Sequence, residues 1–401
     1  MLVESVPFLD RVWRHLYESG WEDLLAKLIV AIILGALGTL GLWAWSKIWP
    51  RLKSTWGAKR RLDRALAAVA PEAKGLWLSA PIRSPAGYEH ALRTSIPIIV
   101  IANLKGGVGK TTIAANLIAH YAIRKEKRVL GIDLDFQGSL TANALSKANR
   151  DSLLILESDK GLSKAAHLIN DRDAAWLQYA CDDVDSVPKA KLISTYYSLA
   201  GVENRVMVEW LIGQRREDIR YRLAEVLHDP TIQKSFDVII IDAPPRLTTA
   251  SVQALCAATH VLIPTVLDEL STEAVAAFAD QLRLHQPLWP HLKIAGVVGT
   301  MTDHATVGTT RPLGDVEVDA LAAGRLQLNL ALQTAAAPLR VASFLPVDCF
   351  IPDRMELSRA AGHRIAYASS SQADTFRKVR EAFDRLGDEI DRRIAGRSEG
   401  T

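Results

Sequence analysis

Apolar and polar positions alternate in blocks along the last three quarters of the chain. Five short apolar runs recur, and each ends on glycine, polar or acidic residues; they occupy 98–103, 129–135, 237–242, 261–265 and 294–300. Stretches with helical periodicity separate these runs. Strands that alternate with helices are typical of a parallel sheet covered on both faces. The pattern therefore predicts an α/β fold with a doubly wound, mostly parallel sheet.

The pattern also predicts helical regions outside these runs. The interval 142–236 is long and mostly helical, with helices expected at 205–212 and 219–226, and it carries no chemical motif. We expect it to pack beside the sheet and to present a partner surface. A final helix over 371–394 is dense in both signs of charge. A solvated helical face is one interpretation of that helix, and a DNA-binding patch is the alternative.

An apolar segment of a different kind lies near the N-terminus. Residues 28–46 are 19 residues without a charge, and a helix of that length reaches about 29 Å, close to the hydrocarbon thickness of a bilayer. Six of the ten tryptophans lie within the first 56 residues, either beyond the ends of this segment or within its last four residues, as in interfacial aromatic belts. We therefore predict one transmembrane helix; a buried core helix is the alternative.

The distribution of basic residues predicts the orientation of that helix. Seven lysines and arginines follow it within 47–64, and three precede it, so the positive-inside rule places its C-terminal side in the cytoplasm. The expected location is a bacterial inner membrane. Residues 1–27 would form an outer or interfacial segment. Residues 47–96 would form a basic juxtamembrane connector whose proline- and glycine-containing second half is irregular.

Composition restricts the chemistry. The net charge of the 401 residues is only +3, so bulk charge does not by itself indicate a nucleic-acid-binding protein. The three cysteines, Cys181, Cys256 and Cys349, are far apart. The histidines form no cluster with them. This spacing excludes a recognisable cysteine–histidine metal motif or disulfide framework, and it fits a reducing cytoplasmic setting.

The strongest chemical signal is a glycine loop that follows the first apolar run and precedes a helical pattern. Residues 105–111 are KGGVGKT. Such a loop surrounds phosphate groups with backbone N–H donors at a helix N-terminus, where the helix dipole favours negative charge. The predicted nucleotide-binding residues in this region are Lys105, Gly106, Gly107, Val108, Gly109, Lys110, Thr111 and Thr112.

The loop departs from the ordinary phosphate-binding motif, which would carry glycine at Leu104 and need no lysine at 105. It resembles the deviant Walker A motif of the ParA/MinD superfamily of ATPases. Residues 133–139 (DLDFQGS) resemble the switch I motif of that family, and 237–245 (DVIIIDAPP) resemble its Walker B and switch II segment. With a closing segment near 351–367, the resemblance covers about residues 97 to 390 and is closest to the ParA branch.

The resemblance implies a P-loop NTPase domain over 97–401, ATP and Mg²⁺ as ligands, and ATP hydrolysis as the reaction. Lys110 would bridge the β- and γ-phosphates, and Asp135 would orient the attacking water. Thr111 would coordinate Mg²⁺, with Asp242 holding it through water or from a second layer, and Asp133 would support both the metal and switch I. The alternative for Asp133 is a strand-end carboxylate that only caps a turn.

Two further roles follow from the resemblance. Lys105 would reach across a dimer interface to the phosphates bound by the partner subunit, so ATP would be sandwiched in a homodimer. Lys105, Lys110 and Asp135 are therefore the predicted catalytic residues. Adenine contacts are expected at the ends of late strands, and the candidates there are Thr302, Asp303, Pro352 and Asp353.

These expectations combine into one hypothesis and two alternatives. The hypothesis is a membrane-anchored ParA-like ATPase, a dimerising switch that positions DNA or protein cargo and is stimulated by a partner protein. Non-specific DNA is a further expected partner. One alternative is a membrane scaffold that binds ATP with little turnover. The other is a regulator resembling bacterial tyrosine kinases, against which stands the absence of any tyrosine after Tyr367.

Overall fold

The computed structural model divides the chain into two compact units, Met1–Arg64 and Ala65–Thr401. It describes residues 75–158, 161–170, 174–302, 305–306, 309–310, 313–340, 342–353, 355–369 and 374–396, together with Arg11 and Asp63. The predicted outer segment 1–27 (Arg11 aside) and the predicted span 28–46 lie outside the described residues. Within the described ranges, no helix combines the length and apolar character needed to cross a membrane. The division after Arg64 does not coincide with the predicted domain boundary at residue 97.

An eight-stranded sheet forms the centre of the second unit, with the order β10-β7-β6-β1-β5-β2-β4-β3. All neighbouring strands pair in parallel except β3, which is antiparallel to β4. The strands are β1 (Ile98–Ile101), β2 (Val129–Asp133), β3 (Asp182–Asp183), β4 (Ala190–Ile193), β5 (Val238–Asp242), β6 (His260–Val266), β7 (Lys293–Thr302) and β10 (Ile351–Pro352), and a separate hairpin consists of β8 (Ala305–Thr306) and β9 (Thr309–Thr310).

Helices alternate with these strands along the chain, as predicted. The α-helices are α1 (Tyr88–Thr94), α2 (Lys110–Ala119), α3 (Ser139–Ala144), α4 (Lys147–Ser158), α5 (Lys164–Asn170), α6 (Ala174–Ala180), α7 (Ser198–Leu211), α8 (Arg222–Leu227), α9 (Pro230–Ser235), α10 (Thr249–Ala257), α11 (Glu269–Leu284), α12 (Asp315–Ala331), α13 (Ala337–Arg340), α14 (Met355–Ala360) and α15 (Asp374–Ile394). A π-helical turn, His120–Arg124, extends α2, and a 3-10 turn, Leu76–Leu78, precedes α1.

The burial of the strands is typical of a central parallel sheet. Every residue of β1 and β5 is buried, and successive side chains of a strand point to opposite faces of the sheet. Both faces are therefore covered, and α2, α10, α11 and α15 are among the helices that pack on the strands. The five predicted strands each begin within one residue of the expected start. The predicted α/β fold is confirmed.

The interval 142–236 differs from the prediction because it also supplies strands. Its helix α7 covers the first predicted helical stretch except residue 212, and a 3-10 turn (Ile219–Tyr221) followed by α8 covers the second. However, β4 joins the main sheet beside β2. β4 contains only four residues, Ala190–Ile193, and one of them is a lysine between apolar positions. Periodicity in so short a run does not distinguish a strand from a helix. The interval is therefore part of the sheet as well as a layer beside it.

The C-terminal helix α15 is fastened to the domain through both signs of its charge. Asp384 and Asp388 pair with Arg124 in the turn after α2. On the basic side, Arg380 donates to the carbonyl of Tyr367, and Arg393 donates to that of Ala295. These side chains hold the helix in place, which favours an intramolecular role for this part of α15 over a DNA-binding patch.

Candidate functional site

The glycine loop connects β1 to α2 at the carboxyl edge of the sheet. Gly107 and Gly109 adopt positive φ angles of 75° and 81°, where a side chain is disfavoured. A Cβ added at Gly107 would meet no heavy atom within 4 Å. Backbone conformation, and not lack of room, therefore requires glycine at 107.

Lys110, the first residue of α2, lies inside this loop. Its side-chain amine donates to the carbonyl of Lys105 at 2.8 Å, and only 7% of the residue is exposed. Burial lowers the pKa of Lys110, while the charges of Asp242 and Asp135 oppose that shift. The amine of Lys110 thus contacts the loop and lies within the electrostatic reach of Asp242, which ends β5, and of Asp135, in the loop after β2.

Thr300, near the end of β7, supports the loop from the side. Its hydroxyl oxygen lies 3.0 Å from the carbonyl oxygen of Val108 and 3.1 Å from that of Thr265. Its side chain also lies 3.6 Å from where a Cβ on Gly109 would be. Sequence reasoning missed this residue because Thr300 is the end of an apolar run 192 positions after Val108, and nothing local in the sequence links it to the loop.

Asp133, the last residue of β2, has its carboxylate oxygens occupied by the loop that follows. One oxygen accepts from the backbone N–H of Asp135 at 3.2 Å. The other accepts from the backbone N–H and the hydroxyl of Thr141, both at 2.8 Å. The hydroxyl of Thr141 in turn accepts from the backbone N–H of Thr195. Asp133 therefore fastens the switch I turn and the start of α3, and through Thr141 it is linked to the segment after β4; this is the arrangement expected if it caps a turn.

Asp242, the last residue of β5, is aligned with Asp133 in the sheet register. It is buried, and neither carboxylate oxygen has a hydrogen bond of ordinary geometry within the described part of the chain. Burial raises the pKa of Asp242, whereas the hydroxyl of Thr111 and the charge of Lys110 lower it. The Thr111 hydroxyl is thus close enough to interact with the carboxylate, although it forms no regular hydrogen bond with it.

This orphaned carboxylate is what a magnesium–nucleotide site requires. Among the described residues, no group of three or more histidine, cysteine, aspartate or glutamate side chains could hold a metal. Mg²⁺ usually binds one or two protein oxygens and completes its shell with waters and substrate phosphates. Asp242 and Thr111 beside the glycine loop fit that requirement, whereas Asp133 already uses its oxygens within the protein.

Asp135 lies in the loop after β2 and is partly exposed. One of its oxygens accepts from the backbone N–H of Gln137 at 3.1 Å. Its charge raises the pKa of Asp242 and of Glu203, a buried carboxyl on α7 whose pKa is raised mainly by burial. Asp135 therefore faces the same space as Lys110 and Asp242. Glu203 was not predicted, because the interval 142–236 carries no recognisable motif.

Lys105 points away from Lys110 in this structure. Its amine lies 2.6 Å from the hydroxyl of Ser271 and 3.4 Å from a carboxylate oxygen of Asp268, and 34% of its side chain is exposed. Asp268 also caps α11 through the backbone N–H of Ser271. Burial by itself raises the pKa of Asp268, but the Ser271 bonds and Lys105 bring it below its ordinary value.

A cavity of about 190 Å³ adjoins the loop and fits the region expected for the adenine base. It is lined by Gly109, Thr112, Ile113, Thr300, Met301, Ile351, Pro352, Asp353, Leu357, Ser358 and Ala361. Pro352 and Asp353 are thus brought beside the loop. Thr302 is buried, and its carbonyl accepts from the backbone N–H of Asp353. Asp303 lies outside the described residues.

Comparison with known proteins agrees with this geometry. A family model described as an AAA domain matches residues 96–294. The chain is 31% identical over 218 residues to the chromosome-partitioning ATPase Soj of Thermus thermophilus, an alignment that covers 54% of this chain and 74% of Soj. It is 33% identical over 207 residues to the chromosome partitioning protein ParA of Myxococcus xanthus, covering 51% and 65% of the two chains.

A solved structure is also similar. Cobyrinic acid a,c-diamide synthase from Mycobacterium smegmatis, with a bound ATP analogue and magnesium, superposes with a TM-score of 0.50 and 25% identity, covering 76% of this chain and 98% of the synthase. The region matched by the family model contains the glycine loop and both strands that end on buried aspartates.

Proposed function

This chain belongs to the Soj/ParA family of ATPases, and we propose that it is an ATP-timed homodimer that positions DNA or protein cargo at a membrane. The observation that carries the proposal is the pairing of the glycine loop with Asp242. A desolvated carboxylate without a hydrogen-bond partner is costly to keep unless a cation joins it during function. Such a group beside a phosphate-binding loop supports binding of ATP together with Mg²⁺.

The positions of the residues support the roles that the resemblance implies. Backbone N–H groups of the loop and the amine of Lys110 would hold the phosphates. Thr111 and Asp242 would hold Mg²⁺, which neutralises charge on the phosphates when it is bound. Asp135 would orient the attacking water, because it faces this space and keeps an oxygen available. Asp133 would act through the switch I turn that it fastens. Phosphoryl transfer depends mainly on such positioning and charge neutralisation.

Lys105 supports the dimer part of the proposal. An amine held by Ser271 and Asp268 at an exposed rim is able to move, since surface ion pairs are worth at most about 1 kcal/mol. We propose that Lys105 leaves these partners when two subunits meet and then contacts the phosphates of the partner subunit. Assembly would then require ATP, and hydrolysis would release the dimer.

The membrane and DNA parts of the proposal rest on sequence and relatives. Residues 28–46 would anchor the chain in a bacterial inner membrane with the ATPase unit in the cytoplasm. The relatives named for chromosome partitioning make DNA a reasonable cargo or track, and a partner protein would stimulate hydrolysis. Carbonate extraction of membranes from cells that express the full chain tests the anchor, because release into the supernatant would contradict it.

The central experiment measures ATP hydrolysis and molecular mass of the full chain in detergent, with Mg²⁺ and with ATP or ADP. We expect slow turnover and a dimer that forms with ATP only. Lys105→Ala should abolish the dimer and retain ATP binding, while Lys234→Ala, at an exposed lysine on α9, should match the wild type. Asp135→Ala should accumulate the ATP-bound dimer.

Each unexpected outcome removes a defined part of the proposal. A Lys105→Ala protein that still dimerises with ATP would exclude the role of Lys105 across the interface. Normal turnover by Asp135→Ala would assign the water-orienting role to another group. Tight ATP binding without turnover, with or without DNA, would leave a scaffold in place of an ATPase switch.

A further inference from the structure

The segment that precedes the ATPase sheet is fixed in place by a buried arginine. We call residues 75–83 the strap. The guanidinium of Arg220 is fully buried, and its N–H groups donate to both carboxylate oxygens of Asp218 and to the carbonyls of Trp77, Ala80 and Pro81. A guanidinium has five N–H donors, and here five contacts use all of them. The strap is therefore held by a fully satisfied buried ion pair.

Aromatic packing also holds the strap in place. The ring of Trp77 stacks on that of Trp210, with centroids 6.4 Å apart and an angle of 19° between the planes. The guanidinium carbon of Arg220 lies 5.1 Å from the Trp210 ring. Because Trp77 is held through its carbonyl and its ring, the direction of its indole N–H is fixed.

That indole N–H points at the loop after Asp242. It donates to the carbonyl of Leu247 at 3.2 Å, five residues after the carboxylate that ends β5. The neighbouring carbonyl, that of Arg246, accepts from the hydroxyl of Ser251, and Thr248 caps α10. Ser251 and Thr248 tie the loop to the helix that follows it, whereas Trp77 ties it to the strap.

We propose that Trp77 is a positioning residue for ATP hydrolysis, through which the strap holds the switch II loop 243–248 in its working place. The inference rests on the proposed ATPase function. Through this contact, the strap controls the loop that follows Asp242. A displacement of the strap would release the carbonyl of Leu247 and lower turnover, while the glycine loop would keep its affinity for ATP.

The test uses the full-length protein and two matched substitutions. Trp77→Phe keeps an aromatic ring and removes the donor to Leu247. Trp289→Phe removes the same kind of bond, from a buried indole to the carbonyl of Leu282 at 3.0 Å, away from the loop. Because a hydrogen bond contributes about 1 kcal/mol, we expect Trp77→Phe to lower kcat by roughly three- to tenfold with KM for ATP unchanged, and Trp289→Phe to leave kcat unchanged.

Limited trypsin digestion without nucleotide supplies a readout that does not need activity. Arg246 is exposed, and cleavage after it breaks the bond to Leu247. Trp77→Phe should speed this cleavage several-fold, as followed by mass spectrometry, and Trp289→Phe should not. Equal kcat losses in both variants, or wild-type kcat and cleavage in Trp77→Phe, would overturn the proposal. If the wild type fails to hydrolyse ATP, the ATPase function fails, and the cleavage rates alone decide whether the strap holds the loop.

Discussion

The carboxyl ends of β2 and β5 lie side by side, and they use the same kind of residue in opposite ways. Asp133 and Asp242 occupy matching positions of the register, and both are buried. Asp133 accepts one hydrogen bond from the loop that follows it and two from Thr141 in α3, whereas Asp242 has no regular partner within the described residues. The protein itself therefore fills the hydrogen-bonding capacity of Asp133 and leaves that of Asp242 unused within the described residues.

The loops that follow the two aspartates also differ from each other. The loop after β2 turns at Gly138, whose φ is 66° and where a Cβ would lie 3.0 Å from the carbonyl oxygen of Thr195. The loop after β5 contains Pro244 and Pro245, whose rings restrict φ. The first loop is shaped by bonds to its aspartate. The loop after β5 does not depend on hydrogen bonds to Asp242 for its shape, so the carboxylate of Asp242 is left without such a partner within the described residues.

The largest expected effect comes from Asp242. Asp242→Asn should lower ATP hydrolysis by about 10²- to 10³-fold, the loss usual for a preorganised electrostatic group. The same change should leave the nucleotide-free protein as stable as the wild type or more stable, because a buried unpaired charge is removed. Turnover assays and urea denaturation measure the two effects.

Asp237→Asn is the matched control for that variant. Asp237 precedes the opposite end of the same strand and pairs with Arg128 at 2.6 Å, so hydrolysis should stay at the wild-type rate. A clear loss of stability in Asp242→Asn would mean that Asp242 has structural partners, and the contrast with Asp133 would disappear.

In contrast to Asp242, substitution of Asp133 should mainly lower the free energy of unfolding. Asp133→Ala leaves the two donors of Thr141 and the N–H of Asp135 without their acceptor, and each buried unpaired group costs about 1–3 kcal/mol. We expect the free energy of unfolding to fall by roughly 2–4 kcal/mol in urea denaturation. A loss below about 0.5 kcal/mol would show that these bonds do not hold the switch I turn.

The conformation of the switch I turn should have a smaller effect. Gly138→Ala forces a side chain into positive φ and against Thr195, so we expect a loss of about 1–2 kcal/mol. Gly87→Ala is the control, because Gly87 has a φ of 76° and nothing within 4 Å of an added Cβ. Equal losses in the two variants, measured by urea denaturation, would assign the whole cost to backbone conformation.

The smallest expected effect is a gradual dependence of the stability of the protein on pH. Burial raises the pKa of both Asp133 and Asp242; the charge of Asp242 raises the pKa of Asp133 further, and that of Asp135 raises the pKa of Asp242. The folded protein therefore keeps a proton at pH values where the unfolded chain has lost it. Stability should therefore fall as pH rises above the ordinary aspartate pKa, by at most about 1.4 kcal/mol per pH unit for one proton. Urea midpoints between pH 5 and 8 without nucleotide measure this slope.

The variant that removes one carboxylate sharpens the pH comparison. Asp242→Asn should flatten the slope, since Asp133 then loses a neighbouring charge and keeps its three hydrogen bonds. An unchanged slope in Asp242→Asn would assign the pH dependence to other groups and would contradict the coupling of the two strand ends.

Local sequence was sufficient for much of the site. The glycine loop, Asp133, Asp135 and Asp242 could be found because each directly follows an apolar run, and parallel strands bring their carboxyl ends to one edge. Other supporting residues could not be found in this way. Thr300 contacts the carbonyl of Val108, and the carboxylate of Glu203 accepts from the backbone N–H of Ala250 at the start of α10. These contacts join distant parts of the chain, and no local pattern marks them.

The sequence by itself determined the α/β class, five of the strands and the phosphate-binding loop, because hydrophobic periodicity and glycine spacing act over a few residues. Only the tertiary structure decided which buried aspartate has hydrogen-bond partners, since that depends on where the fold places the hydroxyl of Thr141. It also decided the contact between Trp77 and Leu247, which lie 170 positions apart. Such contacts depend on how the elements pack, and packing joins residues that no local pattern relates.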